Sequence, residues 1–405
     1  MRRKREAGDA GEFEVSNSFP RWILQIGFLV VCGLLAACAR PDVNVPSRPV
    51  ILEPMQIFER EIQNLRNTLR IPGMSVAILK EQEIVFKKGF GYADIESQIP
   101  ATENTPYNLA SLTKPFAATI LMCLVEEGKL NLDQALSEIL KNSEFHYQGY
   151  SANGYMELCN KIRKLAWRYS SIWDYRCHTE KISVKHHLTH TSQGMPGANY
   201  KYNGFLFSFL TNVAEEASGK AFGELLVEKI IAPLEMTSTV PSINEELRRK
   251  TLTQRAKYYQ FGLFGALIPS KKNPYELSAS AGMVSTVVDL AKFDVAMDRD
   301  MIISRKSKEN MFTPTASNSG KILPYGMGWF AQEYRGVKLV WHYGHAPEAY
   351  SSLIVKIPAK ELTMILLANS DGASRGFNLG KGNLLNSPFA SLFINQFNNI
   401  KSAHN

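Results

Sequence analysis

Tyr107-Asn108-Leu109-Ala110-Ser111-Leu112-Thr113-Lys114-Pro115-Phe116-Ala117-Ala118-Thr119-Ile120-Leu121 is the stretch whose reading decides the fold of this chain. Residues 107–110 read as an extended approach. Pro115 suits the first turn of a helix, where a missing N–H costs little, and the apolar residues after it recur at helical spacing. Positions i and i+3 share a helix face, so the Lys114 amine can reach the Ser111 hydroxyl. A serine becomes a nucleophile at neutral pH only with a base in hydrogen-bond reach. Lysine serves as that base if burial or a neighbouring cation brings its pKa from ~10.4 toward 7–8. Ser-x-x-Lys alone is a common pattern, and its weight depends on the sequence around it.

Working outward, the chain has 405 residues, of which 45% are hydrophobic and 21% charged, ample for a globular core. The net charge is +8, but no dense basic run with interleaved aromatics occurs, so nucleic acid is not an expected partner. The N-terminal region opens with Arg2-Arg3-Lys4-Arg5 and Arg21, continues through an apolar stretch from Trp22 to Ala37 and reaches Leu35-Ala36-Ala37-Cys38. That order is the order of a secretory signal. Its last four residues resemble a bacterial lipoprotein signal, which implies lipidation of Cys38. An uncleaved anchor is the alternative, although the apolar stretch falls short of the ~20 residues needed to span a bilayer. The expectation is residues 1–38 as signal, 39–50 as a Pro-rich tether, and a chain held by lipid on the periplasmic face of a bacterial envelope. Of the five cysteines, Cys123 falls on the apolar helix and reads as a core thiol. Cys159 and Cys177 remain, in a compartment where disulfides persist, and are expected to pair.

Hydrophobic periodicity places a helix over 55–69 and a hairpin over 75–79 and 84–90. From 115 to about 269 the pattern is chiefly helical, including a Cys-bearing segment, 145–180. Another helix is expected over 287–297. Strand signals return over 326–333, 337–342, 351–357 and 363–369, and a last helix over 387–396 follows Ser387 as N-cap. Strands at both ends with helices between imply one sheet built from both termini. The expected fold is α/β plus all-α: an antiparallel sheet flanked by terminal helices, with an inserted helical domain. The sheet lobe takes about 51–114 and 270–400, the helical lobe about 115–269, with a groove where they join, a favoured place for ligands.

Eight segments then line up in order with one family. They are Pro72-Gly73-Met74-Ser75-Val76-Ala77, Gly89-Phe90-Gly91-Tyr92-Ala93-Asp94, the Ser111–Lys114 stretch, and Glu127-Gly128-Lys129-Leu130-Asn131-Leu132-Asp133. His187-Leu188-Thr189-His190-Thr191-Ser192, Pro233-Leu234-Glu235-Met236-Thr237-Ser238-Thr239, Tyr325-Gly326-Met327-Gly328-Trp329 and His342-Tyr343-Gly344-His345 follow. Together they resemble the serine β-lactamase-like hydrolases, in the branch of class C β-lactamases, D-Ala-D-Ala carboxypeptidases, D-aminopeptidases and related esterases. The resemblance covers about residues 52–395 and implies a β-lactamase/transpeptidase-like fold and acyl-enzyme chemistry without metal or organic cofactor. The substrate class it implies is small molecules or cell-wall peptides.

The resemblance also implies site roles. Ser111 is the nucleophile and Lys114 its base. A Tyr-x-Asn supplies a tyrosine that exchanges protons with nucleophile and leaving group. Counting back from Glu215-Glu216-Ala217-Ser218-Gly219 places it at Tyr202, with Tyr200 as the alternative. Tyr150-Ser151-Ala152-Asn153 precedes the His-Thr-Ser landmark and has the wrong spacing. The third element, Lys/His-x-Gly, is His342-Tyr343-Gly344, with the N–H groups of Ser111 and His345 forming the oxyanion hole and Gly344 letting a substrate backbone pass close to the strand. Two departures stand out. Gly204 occupies the asparagine position, and His342 replaces lysine. A histidine of ordinary pKa would titrate between pH 5.5 and 7.5, where it could orient or protonate substrate. His186, His187 and His190 share helical spacing, but the metalloprotease glutamate is missing and no metal is expected.

Overall fold

The structure is a computed structural model and describes residues 52–147, 150–165, 172–177 and 180–397. The expected signal, the tether and Cys38 lie outside the described residues.

Seven strands form the main sheet. They are β1 (Gly73–Lys80), β2 (Glu83–Asp94), β3 (Ile99–Pro100), β4 (Phe330–Tyr334), β5 (Val337–Ala346), β6 (Tyr350–Ile357) and β7 (Leu362–Ala368). Their order is β4-β5-β6-β7-β1-β2-β3, with every pair antiparallel. The two chain ends therefore meet at the β1–β7 seam, where Met74 faces Ala368 and Lys80 faces Leu362. Alternation along β1 serves two cores. Met74, Val76 and Ile78 pack under the terminal helices α1 (Leu52–Thr68) and α4 (Pro388–Phe397), against Phe58, Ile62, Phe393 and Phe397. Ala77 and Leu79 face the other core, which contains α2 (Lys114–Glu126), α3 (Val287–Asp298) and the helical lobe. Covered on both faces, β1 reads as an unbroken buried run. A buried ion pair lies between layers: Lys356 of β6 pairs with Asp294 and Asp298 of α3.

The antiparallel sheet with flanking terminal helices and a helical insert is the fold expected. Some local readings are corrected. The segment 145–180 opens with a hairpin, Glu144–Tyr147 paired to Tyr150–Asn153, before its helix Tyr155–Leu165. Within the stretch read as chiefly helical, the chain breaks at Phe209 into Gly204–Ser208 and Leu210–Ser218. β5 runs to Ala346, four residues beyond the strand signal at His342. A further hairpin, Tyr259–Phe261 with Leu267–Pro269, lies at the end of the stretch read as chiefly helical. Cys159 and Cys177 are joined by a disulfide with Cα atoms 5.9 Å apart, and Cys123 is a buried free thiol.

Candidate active site

Ser111 stands in a single 3-10 turn, Ala110–Thr113, that runs directly into α2. Ala110 just before it has φ +48°, a left-handed backbone that a non-glycine residue holds only when its surroundings enforce it. Two neighbours do so. The Thr113 hydroxyl donates to Ala110 O at 2.9 Å, and the Ser352 hydroxyl donates to Leu109 O at 2.7 Å. N–H groups in the first turn of a helix lack partners inside it, which leaves the Ser111 N–H available to a ligand.

Lys114 begins α2 and is fully buried. Its Nζ is 2.9 Å from Ser111 Oγ and 2.9 Å from the Ser280 carbonyl oxygen. No carboxylate is among these partners. The Tyr202 and Phe207 rings lie 5.2 and 5.3 Å from Nζ. Burial without a counter-charge disfavours the ammonium and brings the lysine down to about 7. The Ser280 carbonyl can only accept, so it fixes one N–H, and the neutral amine keeps a lone pair for the Ser111 proton. The sequence reading missed Ser280. The small-residue run Ser278-Ala279-Ser280-Ala281-Gly282 was its one signal: Gly282 has φ +108° in a bend so tight that a Cβ would lie 2.4 Å from Leu277 Cα.

Tyr202 lies beside these groups with its hydroxyl buried and without a hydrogen-bond partner. Burial, with Tyr343 adding to it and Ser111 opposing, holds the phenol well above its usual range. It is therefore a neutral donor at physiological pH. Tyr200, the alternative, donates its O–H to Gly380 O at 2.9 Å and packs edge-on to His190, away from this role. Gly204 starts the helix capped by the Asn203 side chain. A Cβ at 204 would point to Lys114 Nζ at 3.7 Å, so the third position of the Tyr-x-Asn pattern does aim into the site, with no amide on it.

His342 requires a correction. It is fully buried. Nδ1 lies 2.8 Å from Tyr343 O, a pure acceptor, so Nδ1 carries the proton. Nε2 then accepts from the Tyr325 hydroxyl at 2.9 Å. Both nitrogens are engaged, and burial together with the charge of Lys114 pushes the ring well below its ordinary range. The imidazole does not titrate near neutrality and offers neither a cation nor a proton to substrate. Tyr325, a residue with no assigned role in the sequence reading, fixes its tautomer.

Gly344 is required by the protein itself. A Cβ there would lie 2.1 Å from Leu109 O and 2.2 Å from Ser352 Oγ. The strand approaches the turn that carries the serine, and that close approach leaves no room for a side chain. His345 follows on the part of β5 that extends past β4, whose pairing stops at Phe330 opposite Trp341, so 342–346 keep one free edge. Its side chain stands 4.0 Å from Asp371. Burial would raise Asp371, but His345, the Glu348 N–H and Arg375 outweigh it and hold the carboxyl below its usual range.

His186, His187 and His190 are structural in their contacts. His187 has Nδ1 on Leu206 O and Nε2 on Tyr175 O–H. His186 Nδ1 accepts from the Ser183 N–H at 3.0 Å. His190 Nδ1 accepts from the Asn203 N–H at 3.2 Å, and its ring lies 4.4 Å from that of Tyr202. Among the described residues no cluster of three metal-ligating side chains occurs.

The Cys-bearing segment 145–180 touches these residues through Asp174. Asp174 accepts from Gln193 Nε2 at 2.6 Å and from Lys201 Nζ at 3.0 Å. Gln193 in turn accepts from Asn203 Nδ2 at 3.0 Å, between Tyr202 and Gly204.

With this geometry in place, the comparison with known families is direct. The profile of the beta-lactamase family matches residues 58–385. The chain belongs to the beta-lactamase family. Members are typically serine hydrolases. Penicillin-binding protein 4* of Bacillus subtilis (strain 168) is 27% identical over 311 residues, 71% of this chain and 66% of that protein. Protein flp of Staphylococcus aureus (strain NCTC 8325 / PS 47) is 25% identical over 312 residues, 74% of this chain and 60% of that protein. The chain thus spans about 60–66% of the length of these curated relatives. Among solved structures, an octameric penicillin-binding protein homologue from Pyrococcus abyssi superposes with a TM-score of 0.64 at 25% identity, covering 80% of this chain and 75% of that one. A class C beta-lactamase gives 0.59 at 18% identity, covering 79% and 92%, and shares the fold.

Proposed function

We propose that this family member is an acyl-enzyme serine hydrolase of ester or amide bonds, with small esters and D-alanyl cell-wall peptides as its substrate classes. One observation carries the reading: a fully buried lysine, brought down to about 7, stands 2.9 Å from the hydroxyl of Ser111. In the proposed cycle the neutral Lys114 amine takes the Ser111 proton as Oγ bonds the acyl carbon. The N–H groups of Ser111 and His345 hold the oxyanion. Tyr202 O–H gives its proton to the leaving group and is reprotonated from the Lys114 ammonium. Water then enters where the leaving group stood, Lys114 takes a proton from it, and the acyl–Oγ bond breaks as Oγ regains a proton.

A second reading, a β-lactamase, is less favoured for two reasons on this chain. Gly204 brings no side-chain amide to the acyl group, and the neutral, enclosed His342 brings no cation to a substrate carboxylate. The test is intact-mass measurement of the chain after exposure to a fluorescent penicillin and, separately, to a fluorophosphonate, with Ser111→Ala as control. An adduct with fluorophosphonate that depends on Ser111 is the expected result. A penicillin adduct as well points to cell-wall peptides, and steady nitrocefin turnover to the second reading. Absence of any adduct on a folded chain refutes the hydrolase and leaves a protein that only binds.

A further inference from the structure

The hairpin Tyr259–Phe261/Leu267–Pro269 ends in a tip of unusual exposure. Leu263 is 85% exposed and Phe264 105%, and Ile268 on the return strand is 39% exposed. Single exposed apolar side chains are ordinary on a protein surface, but two adjacent large ones at a turn, with a third behind them, form a projecting apolar point. The tip is held rather than loose. Gly262 N–H donates to Ala266 O at 2.8 Å, and Gly265 N–H to Gly262 O at 3.2 Å. Phe264 has φ 58° and ψ 18°, a left-handed backbone uncommon for a bulky residue, and its ring gains no contact inside the protein in return.

The collar behind the tip is basic. The guanidinium groups of Arg70 and Arg375 lie over the Phe261 ring, 5.0 and 4.5 Å from its centroid, and both side chains reach solvent. Lys271 and Lys272 follow the return strand and are exposed. No acidic residue occurs from Lys257 to Tyr275. Of the carboxylates beside the hairpin, Asp94 and Glu96 are paired with Lys257 at 2.7 and 3.6 Å, and Asp371 lies 3.7 Å from Arg375 and is buried behind it. An apolar point ringed by cations matches the layering of a bilayer surface, where acyl chains lie beneath anionic headgroups and arginine stems can cover apolar surface while their heads stay in water.

We propose that this hairpin is a membrane-contact device that seats Leu263 and Phe264 at the headgroup–acyl boundary of an anionic bilayer. It acts through a surface separate from residues 1–50, and it does not depend on the hydrolase reading. Docked this way, it fixes which face of the sheet domain meets the lipid, and contact weakens as salt screens the collar.

The test uses the full chain carrying Phe264→Trp, with the unsubstituted chain as background for the five native tryptophans. The lipids are vesicles of brominated phosphatidylcholine with or without phosphatidylglycerol. The expected result is a blue shift and at least about twofold more quenching than the unsubstituted chain in the anionic vesicles. Arg70→Gln with Arg375→Gln should then raise the lipid concentration for half-quenching about tenfold or more. Circular dichroism melts of each variant establish that it is folded. Equal quenching in variant and parent overturns the proposal. So does an emission already blue-shifted without lipid. If that shift grows with protein concentration, a second copy covers the tip, and if it is independent of concentration, another segment of this chain does.

Discussion

Replacing Lys114 by Met tests the central electrostatic claim without an assay of activity. In the folded chain burial brings Lys114 from 10.5 to about 7. Between these values the unfolded chain binds a proton that the folded chain does not, so stability rises with pH across that window. The cost of enclosing the lysine is full below pH ~7 and absent above ~10.5. With one pKa unit equal to 1.36 kcal/mol, it amounts to roughly 4 kcal/mol at pH 7 and about 1.5 kcal/mol at pH ~9.5. Lys114→Met carries none of it. The substitution also strips a hydrogen bond from the Ser280 carbonyl, a loss of about 1–3 kcal/mol that does not vary with pH. The informative quantity is therefore the change with pH in the stability gap between parent and variant. Urea unfolding at pH 7 and about pH 9.5 should show that gap closing by ~3 kcal/mol in favour of the parent as pH rises. A gap that stays constant within ~0.5 kcal/mol means the lysine is not depressed, and the assignment of Lys114 as a base near neutrality fails.

The same lysine sets a pH–rate profile: turnover of a reactive ester should climb through pH ~7 as the amine loses its proton, then level off. Because His342 stays neutral throughout, Tyr325→Phe should leave that midpoint in place while lowering stability by about 1–3 kcal/mol through an unpaired Nε2, read by urea melts and the rate profile together. Tyr202→Phe removes a buried hydroxyl that has no partner, so the melting temperature should hold or rise while turnover falls ~10²–10⁴-fold. Asp294→Asn removes one of the two carboxylates on Lys356 and leaves Asp298 at 3.0 Å, so it should cost about 1–3 kcal/mol with the Ser111 labelling reaction unchanged in the fraction that is folded.

The parts of this protein legible in its sequence are those written in short-range pattern. Ser111 and Lys114 lie one turn apart, so their meeting follows from helix geometry alone. The sheet followed from alternation at both chain ends, and its seam from the need of those strands to share a core. The corrected parts depend on contacts between distant segments. His342 sits in a strand whose identity was legible, but its chemistry is decided by Tyr325, seventeen positions away, and by enclosure among Tyr202, Tyr325 and Phe330. Ser280 contributes a carbonyl, which no side-chain pattern announces. The hairpin over 144–153 was hidden because its strands are four residues each, too short for a period to register.

In the proposed cycle these contacts divide the proton work in a way the motifs alone do not. A tyrosine held well above its usual range cannot be the base that opens the reaction, and a histidine with both nitrogens engaged cannot stand in for it. Lys114 remains, and its position explains why it can serve. The Ser280 carbonyl orients the amine without neutralising its charge, whereas a carboxylate in that place would stabilise the ammonium and raise the pKa again. On the proposed reading the site works by withholding counter-charge. That choice reaches the substrate as well. With the lysine largely neutral above pH 7 and His342 uncharged, little positive charge faces an incoming carboxylate, so on the proposed reading binding comes from the free edge of β5 and from apolar contact. Under that proposal the groove favours acyl groups recognised by backbone hydrogen bonds, as in small esters and uncharged peptide amides. Gly204→Asn and His342→Lys restore the missing amide and cation one at a time, and the order in which they admit β-lactams tells which absence limits the parent.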